Sequence, residues 1–288
     1  MKTSTDDFEQ ADTAQIIANL ARRAEVATFT PRKGDYRDAA PFVVLRDEAG
    51  NERIETLKDR LEDPVRKTGI VKLNDADSFI AYYGIHGNGA PVYATLVPAR
   101  FLAVLNEHTA DKAGWRDHRA DFLVKHSREW DIWNKHNGLG AAFNSNESFA
   151  LFIEDNAPDI VNPAPTTMLN IALNFRVKSD VQFSVAQRLE DGNIQLGYSN
   201  IVNASAGTQA SGNLTIPEQF RLALPVFDGI NATKYEIDAR FRYRLKDGKL
   251  TIWYELVRPH KTVEQAFTDV WDKIKAATNA PILHGTPE

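Results

Sequence analysis

Tyr235-Glu236-Ile237-Asp238-Ala239-Arg240-Phe241-Arg242-Tyr243-Arg244-Leu245-Lys246, then Asp247-Gly248, then Lys249-Leu250-Thr251-Ile252-Trp253-Tyr254-Glu255-Leu256-Val257 is the stretch whose reading decides the fold. Apolar and polar residues alternate on both sides of the Asp-Gly pair, which is the period of a strand with one buried face. Asp-Gly suits a two-residue type I′ turn, in which both central residues take positive φ. A turn of that length sets the register. Leu245 then faces Leu250, Tyr243 faces Ile252, Phe241 faces Tyr254 and Ala239 faces Leu256, giving one apolar face. On the other face Arg242 meets Trp253 in a cation–π contact, and Arg240 meets Glu255 in a cross-strand ion pair.

The flanking segments read as follows. Val181–Glu190, Asp191-Gly192 and Asn193–Val202 form a second hairpin. With the same two-residue turn, Leu189 would face Ile194 and Val185 would face Tyr198. A strand over Phe220–Val226 is confined by Pro217 and Pro225 to an edge or a short segment. Thr262 caps a last helix whose Val263, Ala266, Phe267, Val270, Trp271 and Ile274 recur at helical spacing and should cover one face of the sheet. Pro281–Glu288 reads as a tail, and Asn203–Asn213 as a long polar connection.

Upstream, Ala11–Val26 has a helical stripe, and Phe42–Arg46 and Arg53–Leu57 are strands around Gly50. Gly69–Leu73 is a strand, followed by a helix capped by Asn74 or Asp75 and ended at Gly84. Strands follow over Pro91–Val97, Phe101–Leu105 and Arg119–Lys125. Ser127 caps a helix carrying Trp130 and Trp133, which with Trp115 read as core or as a subunit contact. Asn144-Ser145-Asn146-Glu147 matches a capping box with Glu147 as its third helical residue. Thr166–Phe175 is a helix with Met168, Leu169, Ala172 and Leu173 on one side. The expectation is an α+β protein. Residues 1–162 form a mixed α/β region. Residues 163–288 form a mainly antiparallel sheet packed by a C-terminal helix. The link Asn162-Pro163-Ala164-Pro165 is short enough for both to be one body.

The chain has 288 residues, a net charge of −5 and no cysteine. Thiolate chemistry, disulfides and cysteine metal sites are therefore excluded. The acidic balance argues against bulk attraction to nucleic acid or to an anionic membrane. No apolar run reaches the roughly 20 residues of a membrane span, and the N-terminus lacks a signal-peptide pattern. The expected location is the cytoplasm.

Few residues suggest chemistry. His108, His118, His126 and His136 lie among acids, and the first three are the candidate metal ligands. Their spacing matches no helical i, i+4 pair and no His-x-His strand pair. Gly84–Ala90 is glycine-rich but fits neither phosphate-binding pattern, and reads as a helix end and turn. Glu147, Glu154, Asp155 and Asp159 read as cap, solvated positions and helix end. Arg240, Arg242 and Arg244, with Trp253 among them, form the candidate nucleic-acid surface. Strand neighbours on one face lie about 7 Å apart, near the phosphate spacing of an extended single strand. No cofactor is implied.

Three segments carry a family resemblance: Ala150-Leu151-Phe152-Ile153-Glu154-Asp155-Asn156, Leu214-Thr215-Ile216-Pro217-Glu218-Gln219-Phe220, and the hairpin from Phe241 to Val257. They resemble the YfdQ-like family of uncharacterised bacteriophage and prophage proteins. The resemblance implies a phage or prophage product in the bacterial cytoplasm, and carries over no activity, ligand or catalytic residue. The leading expectation is a non-catalytic accessory protein acting by binding to itself or to a phage or host protein. Next comes a single-strand nucleic-acid binder using Arg240, Arg242, Arg244 and Trp253. Last comes a metal-dependent hydrolase using the His108–His136 region.

Overall fold

The computed structural model describes residues 27–29, 42–46, 50–143, 145–177, 182–190, 192–199, 211–229, 232–247 and 249–287. The helix expected over Ala11–Val26, the loop after it, Gly248 and most of the polar stretch 203–213 lie outside them. The chain divides into two units, Met1–Gly69 and Ile70–Glu288. In the first, β1 (Ala27–Phe29), β2 (Phe42–Arg46) and β3 (Glu52–Thr56) form an antiparallel sheet in that order.

The second unit opens with β4 (Gly69–Leu73), α1 (Ala76–His86), β5 (Val92–Leu96), β6 (Ala99–Val104) and β7 (His118–Leu123). Next come α2 (Arg128–Lys135), α3 (Asn146–Asp155), β8 (Ile160–Asn162) and α4 (Pro165–Val177). Then follow β9 (Gln182–Arg188), β10 (Ile194–Ser199), β11 (Ser211–Ile216), β12 (Gln219–Pro225), β13 (Lys234–Lys246) and β14 (Lys249–Leu256). The unit closes with α5 (Pro259–Thr278) and β15 (Ile282–His284). Its sheets run β15-β5-β6-β7-β4, β11-β10-β9 and β14-β13-β12-β8. The fold is α+β with mostly antiparallel pairing, and among the described residues no helix is long and apolar enough to cross a membrane.

The β13–β14 register is the one the Asp-Gly turn dictates. Phe241 faces Tyr254, Arg242 faces Trp253, Lys246 faces Lys249, and Asp247 takes φ 52°. Phe241 and Tyr254 are buried with Phe220 and Trp133 in one aromatic cluster. The segment after α2 shields the outer edge of β14. Gly138 N–H donates to the Tyr254 carbonyl at 2.8 Å, and Leu256 N–H donates to Asn137 Oδ1 at 2.9 Å. An open edge would leave those groups unpaired.

Several local expectations are corrected. The second hairpin slips by one: Ile194 faces Arg188, not Leu189, and Val185 faces Gly197. Leu189 N–H bonds the Asn193 carbonyl and Gly192 takes φ 86°, so the loop holds three residues and closes with a left-handed glycine. Helix α1 runs through Gly84 to His86. An interior glycine costs only about 1 kcal/mol, and the turn beyond it packs the His86 ring on Tyr82 at 4.6 Å and on His118 at 5.6 Å.

The α3 box is Ser145 with Ser148, one residue on from the expected box that began at Asn144 and closed at Glu147; each side-chain oxygen accepts the other residue's N–H, at 3.0 and 3.1 Å. Leu173 is 52% exposed, off the buried stripe of α4. Strand β12 is interior, between β13 and the short β8, because Pro225 falls at its last position. Helix α5 begins at Pro259 and not after Thr262; proline is preorganised for a first helical turn. The C-terminal segment is no tail, since β15 pairs in parallel with β5. Ser211–Asn213, assigned to the polar connection, opens β11.

Candidate functional site

A cleft of about 430 Å³ lies where α1, β7, the β12–β13 connection and α5 meet. Small-molecule sites commonly measure about 300–1,000 Å³. The sequence builds it in steps. Alternation along β7 puts Phe122 and Val124 on one face. The chain beyond β7 pairs with the end of β12: His126 bridges Phe227, and Asp228 N–H donates to the Lys125 carbonyl at 2.9 Å. This holds the β12–β13 connection over the floor. On α5, Ala266, Asp269, Val270 and Lys273 fall at i, i+3, i+4 and i+7, one helical stripe. Phe267 turns elsewhere, stacking on Phe101 at 5.0 Å. The stripe facing the cleft carries small Ala266 and Val270, which leave the space open.

The rim is polar and ordered. Asp75 caps α1, its carboxylate accepting from Ser78 N–H at 2.7 Å and Ser78 Oγ–H at 2.8 Å. Those bonds, the backbone one foremost, hold its pKa below the ordinary 3.8. Lys273 Nζ lies 2.7 Å from Asp77 Oδ1 and links α5 to α1. Tyr235 donates its hydroxyl to Asp269 Oδ2 at 2.7 Å. Burial, with that carboxylate beside it, pushes the phenol far above its ordinary range, so it stays a neutral donor.

The arginine face has a different geometry. Register places Arg240 opposite Glu255, but the ion pair is diagonal, Arg242 Nε to Glu255 Oε2 at 2.9 Å. Arginine is long enough to reach the diagonal neighbour. The hydrogen bond from Arg242 is the foremost influence holding the Glu255 carboxyl below its ordinary range. Trp253 is 8% exposed and its indole N–H donates to Glu255 Oε1 at 3.2 Å. Its ring is therefore packed away and not offered as a stacking platform. Arg240 and Arg244 are exposed.

The histidines do not converge. His108 Nδ1 accepts from Gly114 N–H at 2.9 Å within the β6–β7 loop. His118 is buried, with Nε2 3.1 Å from the Tyr82 hydroxyl and its ring 5.6 Å from that of His86. His126 stacks on Phe227 at 5.8 Å. Seven residues separate His118 from His126, most of them in β7, a reach of roughly 25 Å if extended throughout. Among the described residues no group of three or more histidines or acids could hold a metal ion. Trp130 and Trp133 are core, whereas Trp115 is 64% exposed. Asp159 accepts from Trp133 Nε1 at 2.8 Å.

The sequence narrows the α1 cap to Asn74 or Asp75, of which the structure uses Asp75, and shows the α5 stripe, but the cleft was missed. The available signal was the small pair Ala266 and Val270 inside a stripe of large residues. A family model described as "Uncharacterized conserved protein (DUF2303)" matches residues 13–287. No curated protein and no solved structure matches the chain.

Proposed function

The chain belongs to the DUF2303 family of uncharacterised conserved proteins, and we propose that it is a non-catalytic accessory protein of a bacteriophage or prophage, working in the bacterial cytoplasm by holding a ligand in the cleft between α1 and α5. The carrying observation is the cleft itself: an apolar floor of Phe122, Val124, Phe227 and Val270 under a rim of polar groups, in a volume of about 430 Å³. The rim groups are engaged in ways that suit recognition. Asp75 caps a helix, Asp77 holds Lys273 and Asp269 holds Tyr235. A general acid or base must instead hand a proton to substrate. The phage assignment rests on the resemblance of Ala150–Asn156, Leu214–Phe220 and Phe241–Val257 to the YfdQ-like family.

The test is to fill the cleft. Val270→Trp should abolish binding of small apolar-stemmed fragments seen by ligand-observed NMR with the unaltered protein, while the circular-dichroism spectrum is kept. Fragments that bind both proteins equally, or no fragment at all, would refute the cleft as the site.

A second reading uses Arg240, Arg242 and Arg244 as a single-strand nucleic-acid surface. The exposure of Arg240 and Arg244 on one face favours it; the burial of Trp253 removes the stacking part of that mode.

A further inference from the structure

We infer that the group admitted to this cleft is a cation on an apolar stem, as in a lysine or arginine side chain or a free alkyl amine; this rests on the cleft being the binding site. Four carboxylates line it, those of Asp75, Asp77, Asp228 and Asp269, against the single ammonium of Lys273. An anion entering would meet that surplus. At the N-terminus of α1, which would attract an anion, Ser78 N–H is already bonded to Asp75. A neutral head group can donate a hydrogen bond to a carboxylate but does not offset its charge.

Lys273 displays the binding mode from within the chain. It stands one turn from Val270 on the same stripe of α5, and its ammonium meets Asp77 at 2.7 Å. Both side chains are substantially exposed, 50% for Lys273 and 76% for Asp77, so the pair is weak and exchangeable. Asp269 accepts from Tyr235 through Oδ2, and a carboxylate has acceptor sites for more than one donor. An incoming ammonium or guanidinium would take Asp77 in place of Lys273 and lie toward Asp269, with its methylenes over Phe122 and Val270.

Three probes of five carbons each test this: pentylamine, pentan-1-ol and pentanoate, titrated into the full chain and followed by amide shift mapping. The amine should bind at least about ten-fold tighter than the alcohol and weaken with salt, and pentanoate should not bind. Lys273→Met removes the resident ammonium and should tighten the amine about two- to five-fold, the scale of an exposed ion pair. Asp269→Asn should weaken it. Capped lysine and arginine peptides form the second arm. Their binding would assign a partner's side chain as the source, whereas amine binding without peptide binding would assign a small molecule; either supports the inference. Alcohol or pentanoate binding the cleft as tightly as the amine would overturn the cation while leaving the cleft reading intact. Shifts from the amine that persist unchanged in Val270→Trp, or no binding by any probe, would overturn both.

Discussion

Along β13 the charges of the outer sheet face succeed one another at every second residue, from Glu236 to Lys246; around the cleft they come from Asp75 and Asp77, Asp228, and Asp269 with Lys273. On the sheet face, strand pairing brings two arginines onto acids, while Arg240 and Arg244 stay exposed and Lys246 faces Lys249. Arg221 Nε lies 2.7 Å from Asp238 Oδ1, and Arg242 Nε 2.9 Å from Glu255 Oε2. In the cleft each acid has a local reason to be where it is, as a helix cap or as a polar position on a helix or loop. Their joint surplus over Lys273 belongs to no single segment. A charge surplus along one strand is thus visible in the sequence, whereas one gathered from distant segments is not.

The largest test of this contrast is Phe122→Ala. Phe122 floors the cleft and also stacks on Phe101 at 6.1 Å in the core. The variant should lose about 3–5 kcal/mol in urea unfolding. A loss below about 1 kcal/mol would make the floor a surface feature, no more embedded than the sheet face.

Asp75→Ala should cost about 1 kcal/mol through the lost cap, and Asp75→Asn much less, because asparagine also caps. The pH dependence has a definite sign. The folded pKa lies below the ordinary value of 3.8. The charged cap therefore stabilises fully above the unfolded pKa, and that contribution is lost as pH falls through the folded one. Thermal melts of the unaltered protein and Asp75→Asn should differ at pH 6 and converge in strong acid. A difference that grows on acidification would contradict the geometry of the cap.

On the sheet face, replacing Arg240, Arg242 and Arg244 together with glutamine should cost at most about 1 kcal/mol, since exposed ion pairs contribute little. Single-stranded DNA affinity at physiological salt should be negligible before and after, by fluorescence anisotropy. Binding that is lost in the folded triple variant, with a flatter salt slope, would transfer the binding role from the cleft to the arginines.

The smallest effect separates the two arginines nearest Glu255. Arg242→Gln should return the Glu255 carboxyl toward its ordinary titration range, followed by carbon-13 NMR, whereas Arg240→Gln should move it less. Equal shifts would mean that the diagonal pair is no stronger than the directly opposed one.

How far the residues could be read in advance varied with the distance over which each feature is decided. The β13–β14 register was legible because one short turn and a period of two settle it locally. The second hairpin looked alike in sequence and came out one residue off, because the loop closed on Leu189 and Asn193 around a left-handed Gly192. The end of α1 was misplaced at Gly84 because a single interior glycine is a small local penalty, and the His86 ring beyond it packs on Tyr82 and His118. The diagonal Arg242–Glu255 pair was missed because register specifies Cα neighbours and not where a long side chain reaches.

By itself the sequence determined the alternation of β13 and β14, the cap at Ser127, an α1 cap at Asn74 or Asp75, and the apolar stripe of α5, all of which depend on residues within a turn or a hairpin of one another. Only the tertiary structure decided that the last residues add β15 to β5, that Trp253 is shielded while Trp115 is not, and that Asp75, Asp77, Asp228 and Asp269 share one cleft. Those outcomes depend on packing between segments up to about two hundred residues apart. Packing is governed by total shape and buried area, which no local period encodes.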